Sequence, residues 1–446
     1  MTQQVDQLIV PRWLVPVVPR GQVLENHAVA IAGGVIQAIG PADQLTDTLP
    51  ATQVLELPDQ VLMPGLVNAH THSAMSLLRG VGDDLPLEQW LKERIWPIEG
   101  EFADADFVAL GTDLAIAEMV RGGTTTANDM YFYPDVVGRR AMAQGFRMTV
   151  GMLVVDFPTR WASTSDEYFS RGLAVHDEFR NENLITTALA GHAPYTVGDE
   201  NLKRMAMLSN QMDLKVNIHL HETAGEVNDA RRESQLRPFA RLRKLGLVNE
   251  NLIAVHMTQM EPGEIDTCAD TGVSVIHCPE SNMKLASGIC PVEALRQAGV
   301  NVGLGTDGAA SNNDLDMFGE MRSAALIGKV AASDAQAVPA WYALEMATLN
   351  GARALGLDSA IGSLEVGKQA DMLSFLMDGP ELKPLFDVIS QLIYAGNRQQ
   401  VQNVWVNGEP LLKNRELLKV DLADLHRRVD AMTQSITPKL NPESAS

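Results

Sequence analysis

The stretch Met63-Pro64-Gly65-Leu66-Val67-Asn68-Ala69-His70-Thr71-His72 decides how this chain reads. Two imidazoles at i and i+2 on a strand project from the same face of the pleat. His70 and His72 can therefore both reach one metal ion, at the roughly 2.0–2.1 Å of a zinc–nitrogen bond. The preceding run, Gln60-Val61-Leu62, is apolar and extended, and Pro64-Gly65 punctuates it. A strand ending in His-x-His sets a metal site at the rim of a sheet. The competing reading is a chance pair among ten histidines, and the rest of the chain has to decide between the two.

Outward from this stretch, apolar strand-like runs alternate with helical ones such as Asp106 to Arg121 and Glu200 to Asn210. The strand candidates are Val61 to Ala69, Thr124 to Asp129, Arg147 to Val155, Leu184 to Gly191, Lys215 to His221, Leu252 to His256, Val273 to His277 and Val300 to Gly305. Eight strands separated by helix-length segments predict an α/β fold, a (β/α)₈ TIM-like barrel, in preference to a doubly wound sheet. Before residue 62 the chain reads as short strands: Gln7 to Val10, Val29 to Ala32, Val35 to Ile39 and Gln53 to Leu57. After about residue 365 strands return at Asp371 to Phe375 and Val401 to Val406, with Asn407-Gly408 as a hairpin turn signal. The predicted organisation is thus a small composite β-sandwich domain from residues 1–62 and 365–446, with a C-terminal helix over Val420 to Ile436. It embraces a metal-dependent catalytic barrel over residues 63–364.

Composition removes whole classes of function. At 446 residues, 46% hydrophobic and 20% charged, the sequence describes a soluble globular protein. A net charge of −21 argues against a polyanionic partner, which clustered Lys and Arg would have to bind. Arg231-Arg232 and the segment Arg237 to Lys244 are broken by acidic and apolar residues, as on a solvated helix face. No apolar run is long enough for a bilayer span, and the first residues lack the pattern of a signal peptide. Cys268, Cys278 and Cys290 show no disulfide spacing. The expectation is a cytoplasmic protein with neither nucleic acid nor membrane as partner, and a homo-oligomer is compatible with it. The twenty methionines read mostly as core filler.

Barrel enzymes place their chemistry at the C-terminal ends of the strands. Seven of the ten histidines fall at predicted strand ends: His70, His72, His192, His219, His221, His256 and His277. Glu222 follows the fifth strand, and Asp307 follows the eighth in Gly305-Thr306-Asp307-Gly308. Chance placement is a poor account of that. Zinc accepts imidazole and carboxylate, and three His plus Asp307 would leave a position open for water. The ion lowers the pKa of such a water from 15.7 to roughly 7, which makes the nucleophile available at neutral pH. Glu222 is then the natural proton carrier between water and leaving nitrogen. His219 and His221 share one face, so spacing alone does not choose between them.

The chain resembles the amidohydrolase superfamily over essentially its full length. The segments Pro64 to His72, His219-Leu220-His221-Glu222-Thr223 and Gly305-Thr306-Asp307 resemble its adenosine-type and cytosine-type deaminase branch. Gly362-Ser363-Leu364-Glu365-Val366-Gly367-Lys368-Gln369-Ala370-Asp371 resembles the superfamily's return from barrel to sandwich. Two further segments, Trp90 to Glu99 and His192-Ala193-Pro194-Tyr195-Thr196, resemble the 5'-methylthioadenosine/S-adenosylhomocysteine deaminases. The resemblance implies one divalent metal ion, Zn²⁺ first, held by His70, His72, His219 and Asp307. It also implies Glu222 as proton shuttle and substrate contact, His256 as the group that polarises the hydroxide, and Asp307 beside both. Glu99 would bind the ribose hydroxyls, with Trp90 nearby, and His192 would contact the nucleoside. The His-x-x-Glu pattern selects His219 over His221, which becomes a packed residue. Superfamily members with two metals carry a bridging lysine on the fourth strand, and Leu184 to Gly191 has none.

The implied reaction is hydrolytic deamination of an adenine nucleoside, with 5'-methylthioadenosine ahead of S-adenosylhomocysteine and adenosine. A homocysteine carboxylate would need a cation if buried, and Arg160 and Arg171 lie in no recognisable motif. The rival enzyme acts on a free base or triazine, where a ribose-binding Glu99 would be useless. The rival of another class is a non-catalytic barrel used for assembly, against which the intact ligand set speaks. Read without the resemblance, Glu99 is an ordinary helix carboxylate, His192 a strand-end residue and His277 a pocket wall. Gly303 to Gly308 matches a dinucleotide fingerprint, but it ends the last strand and runs into the loop-like Ala309 to Asp314.

Overall fold

The computed structural model describes residues 4–440. Eight parallel strands form the central sheet, each hydrogen-bonded to the next in chain order. We number them β1 (Leu66–Thr71), β2 (Thr124–Asp129), β3 (Arg147–Leu153), β4 (Ile185–Ala190), β5 (Val216–Leu220), β6 (Leu252–His256), β7 (Ser274–His277) and β8 (Asn301–Leu304). β1, β2 and β3 are buried along their whole length, as parallel strands covered on both faces must be. The ends of the sheet meet through a parallel bridge between Thr71 and Asp307, and Asp307 N–H donates to the His70 carbonyl at 3.1 Å. That bridge draws the last strand's carboxylate onto the first strand's histidines.

Alternation sorts each strand into two sets. Val67, Ala69, Ile253, Val255 and Ile276 pack outward with Ala352 and Ala354 of the helix Leu349–Ala354. Their neighbours Asn68, His70, Ala254, His256, Val275 and His277 therefore face the lumen. Helix bounds follow local chemistry. Asp104 accepts from Phe107 N–H at 3.0 Å and starts the helix Ala105–Arg121, one residue before the expected Asp106. The helices expected at Glu200 to Asn210 and Val420 to Ile436 run over Asp199–Met212 and Leu422–Leu440.

Two expectations are corrected. Val61 to Ala69 is not one strand: Ala51–Pro64 belongs to a second sheet, and β1 begins at Leu66. Gly65 makes the transfer because a Cβ there would lie 2.2 Å from the Thr125 side chain. The segment after Asp307 is not all loop, since Ala309–Asn312 forms one helical turn. Gly308 in extended conformation starts that turn, and Asn313 at φ 77° stops it.

The second sheet is mixed, has nine strands and draws on both ends of the chain. Val5–Leu14 pairs parallel with Ala51–Pro64 and antiparallel with His27–Ala32. Ala51–Pro64 in turn pairs with Met372–Leu376, which leads to Val401–Val406 and Glu409–Lys413 around the Asn407-Gly408 turn. Ile9 and Leu8 lie on opposite faces of it, Ile9 packed with Met372 and Trp405, and Leu8 with Ala28 and Ala30. An ion pair ties this sheet to the barrel: Arg147, at the start of β3, meets Asp371 at 2.7 Å with both side chains buried.

Candidate metal and substrate site

The residues that follow the strands converge. His70 Nε2 lies 3.0 Å from His219 Nε2 and 3.6 Å from Asp307 Oδ1, and His72 Nε2 is 3.1 Å from the same oxygen. The second ring nitrogens explain the aim. His219 Nδ1 donates to the His192 carbonyl at 2.8 Å, and His72 Nδ1 to the Met130 carbonyl at 2.5 Å. A proton fixed on Nδ1 leaves the Nε2 lone pair free, the tautomer a metal requires. Nitrogen and carboxylate oxygen atoms this close need a proton or a cation among them, and the converging donor set fits a divalent ion. Its chemistry, imidazole nitrogen with one carboxylate oxygen, is that of zinc.

The group whose donor atoms all lie within 4.8 Å of one another is His70, His219, His256 and Asp307, with His256 where the sequence reading had His72. His256 is oriented differently from the others. Its Nδ1 faces the Asn282 amide nitrogen at 2.9 Å, and its Nε2 lies 3.9 Å from Glu222 Oε2. His221, His256, Met257 and Asp307 all take left-handed φ, at 52°, 76°, 48° and 60°. Such conformations cost of order 1–3 kcal/mol each and gather where a site over-determines them.

Burial sets the electrostatics. It depresses His219 well below the ordinary imidazole value, with neighbouring histidines adding to it, and takes His192 and His256 to about 4. Burial lowers His70 as well, and neutral imidazoles are what ligation needs; His72 goes up instead, because against burial it faces the Asp307 carboxylate. Burial opposes the charge of Asp307, but protons held between it and the His70 and His72 rings outweigh burial and keep the carboxyl well below its usual range, a role a bound ion would take over. Glu222 goes the other way: burial, then the charges of Asp307 and Glu226, push it well above. Two carboxyls in one site with opposite shifts divide the labour between a fixed anion and a proton carrier.

Beside the donors lies a cavity walled by apolar and aromatic groups, Leu153, Phe132 and Phe157 among them. His72, His192, His219, Glu222, His256 and Asp307 line it, and so do Glu99 and Trp90. Glu99, on the helix Trp96–Phe102, accepts a hydrogen bond from the Tyr131 hydroxyl at 2.7 Å. Burial raises its pKa to about 7, against the opposing pull of Tyr131 and His72. Trp90 spends its indole N–H on the Val81 carbonyl at 3.0 Å, so only its apolar face is left for a ligand. His192 Nδ1 meets the Thr196 hydroxyl at 3.2 Å.

His277 does not line this cavity, contrary to expectation; it is buried, and neither ring nitrogen has a partner among the described residues. His221 turns away, its Nε2 accepting from Phe239 N–H at 3.1 Å. Sequence reasoning missed Tyr131, Ser281, Asn282 and Ser311. Ser281 and Ser311 hydroxyls donate to Asp307 Oδ2 at 2.7 and 2.9 Å. All four follow strands, so extending the strand-end rule a few residues would have found them.

The amidohydrolase family model matches residues 61–411. A 5-methylthioadenosine/S-adenosylhomocysteine deaminase of Teredinibacter turnerae is 46% identical, with 93% of this chain and 94% of the relative covered. A solved adenosine deaminase from Xanthomonas campestris with bound zinc is 52% identical at a TM-score of 0.97, covering 98% of this chain and 100% of its own. The atrazine chlorohydrolase TrzN from Arthrobacter aurescens, complexed with zinc, superposes at a TM-score of 0.90, covering 96% of this chain and 100% of its own. At 22% identity that likeness concerns the fold alone.

Proposed function

The chain belongs to the amidohydrolase family, and from that premise we propose that it is a metal-dependent nucleoside deaminase, converting 5'-methylthioadenosine to 5'-methylthioinosine with release of ammonia. The observation that carries the nucleoside reading is Glu99, a buried carboxylate in the same cavity as the donor cluster. A free base or triazine has no hydroxyls to offer it.

His70, His72, His219 and Asp307 would hold the ion. When bound, a divalent ion supplies Lewis acidity that makes an attacking water available near neutral pH. Glu222 takes the proton of that water and delivers it to purine N1 as the oxygen adds to C6. It then passes the second proton to N6, so that the C6–N6 bond breaks and ammonia leaves. A raised pKa suits a group that must hold a proton and give it up. His256 faces the attacking oxygen from beside Glu222. Glu99 accepts from the ribose hydroxyls, His192 touches the nucleoside, and Trp90 supplies an apolar wall.

Among the described residues, no Lys or Arg lines the cavity. Arg160 turns to Asp104 at 3.5 Å and Arg171 to Glu167 at 2.5 Å. A homocysteine carboxylate would enter without a cationic partner, which ranks the uncharged thioether and adenosine above S-adenosylhomocysteine. No helix among the described residues is long and apolar enough to cross a membrane. Three buried free cysteines suit a cytoplasmic setting. The test is the ultraviolet change from adenine to hypoxanthine when zinc-loaded protein meets methylthioadenosine. A fast change, lost in Glu222→Gln, is expected. No change with zinc bound would overturn the reading.

A further inference from the structure

Five side chains crowd around one ion site, and four are enough to hold it. The short helix Pro279–Lys284, directly after β7, offers the means of choosing among them. Its Ser281 hydroxyl donates to Asp307 Oδ2 at 2.7 Å, and the next residue, Asn282, puts its Nδ2 at 2.9 Å from His256 Nδ1. Asn282 and His256 are each 1% exposed, so bulk solvent does not reach this contact.

A neutral imidazole carries one proton. An amide N–H directed at Nδ1 requires the lone pair there, and so places the proton on Nε2. For His72 and His219 the partner of Nδ1 is a carbonyl oxygen, which demands the reverse. We propose that Asn282 is a positioning residue that fixes the His256 proton on Nε2. Thus His256 donates a hydrogen bond toward Glu222 and the attacking oxygen, and stays out of the metal shell although its nitrogen lies within reach. His72 then completes the ligand set. The inference rests on the metal-dependent reading of the same site.

The test is a long-range ¹⁵N–¹H correlation spectrum of zinc-loaded protein labelled with [¹⁵N]histidine, taken without nucleoside. His256, assigned by the loss of its signals in His256→Gln, is expected to carry its proton on Nε2. In Asn282→Asp the carboxylate accepts from Nδ1–H, so the proton moves to Nδ1 and the Nε2 lone pair turns to the ion. Zinc extraction by a chelator should then slow by about tenfold, and kcat should fall by about 10–100-fold while KM moves little. A merely structural role would instead speed zinc loss and leave the His256 proton where it was, which would overturn the proposal. A wild-type His256 with its proton on Nδ1, as the opposite amide orientation would give, overturns it without any variant. Failure to deaminate, with the proton found on Nε2, would sink the proposed reaction and leave the role of Asn282 standing.

Discussion

The two ends of the barrel bury charge in opposite ways. At the N-terminal end Arg147 meets Asp371 at 2.7 Å and donates to the Asn183 carbonyl at 2.8 Å, while Asp371 Oδ1 also accepts from Asn407 N–H at 2.7 Å. Each charge there has an opposite charge and spare hydrogen bonds. At the C-terminal end ring nitrogens crowd to 3.0 Å, Glu222 is pushed toward its neutral form, and His221, His256, Met257 and Asp307 take left-handed φ. The first arrangement is complete without help. The second is a donor set open to a cation and a substrate, so one end of the fold carries stability and the other carries chemistry.

The sharpest way to break that contrast is to mutate one end and read both properties. Glu222→Gln should lower kcat by on the order of 10⁴-fold, about 5 kcal/mol, and leave the melting temperature unchanged or higher, because a strained buried acid is removed. Asp371→Ala should do the reverse. It strands the Arg147 guanidinium in the interior and should cost about 3–5 kcal/mol in denaturant titration, with kcat of the folded fraction intact. A drop in kcat for Asp371→Ala beyond its folded fraction would show that the two ends are coupled.

A milder effect separates nucleoside from base within the active end. Glu99→Gln keeps the shape but removes the charge that accepts from two hydroxyls, so kcat/KM for methylthioadenosine should fall by about 10–100-fold, the worth of a charged hydrogen bond. Any turnover of free adenine should be untouched. Equal loss on both substrates would remove Glu99 from ribose recognition.

How far each end was legible in the sequence follows from what encodes it. Strand ends announce themselves, because a His or Asp closing an apolar run has no structural reason to be there; hence His70, His219, His256 and Asp307 stood out. β2 and β6 run over the residues expected. Pro64-Gly65 read as punctuation, yet one strand was drawn through it, because apolar character continues on both sides and only the Thr125 contact shows that glycine hands the chain to another sheet. Arg147 and Asp371 are 224 positions apart, and no local pattern pairs them. Tyr131 and Asn282 lie within reach of a longer strand-end rule, but the side-chain tips they act through are settled only once the loops are placed.

The smallest effect is the most specific. Glu99 titrates at about 7 because burial penalises its charge, and the Tyr131 hydrogen bond holds it lower than burial alone would. Ribose hydroxyls donate, so they bind the ionised form better. KM for methylthioadenosine should therefore fall as pH rises through about 7, and Glu99→Gln should flatten that dependence. Tyr131→Phe removes the donor that favours the anion, so the inflection should move to higher pH. Stability follows the opposite sign: a carboxyl raised on folding binds its proton more tightly in the folded state, so stability declines as pH climbs from about 4.5 to 7. In Tyr131→Phe that decline should extend further up. A Tyr131→Phe profile with its inflection unmoved or shifted down would mean that Tyr131 only packs beside Glu99, and that the active end tunes its ribose carboxylate by burial alone.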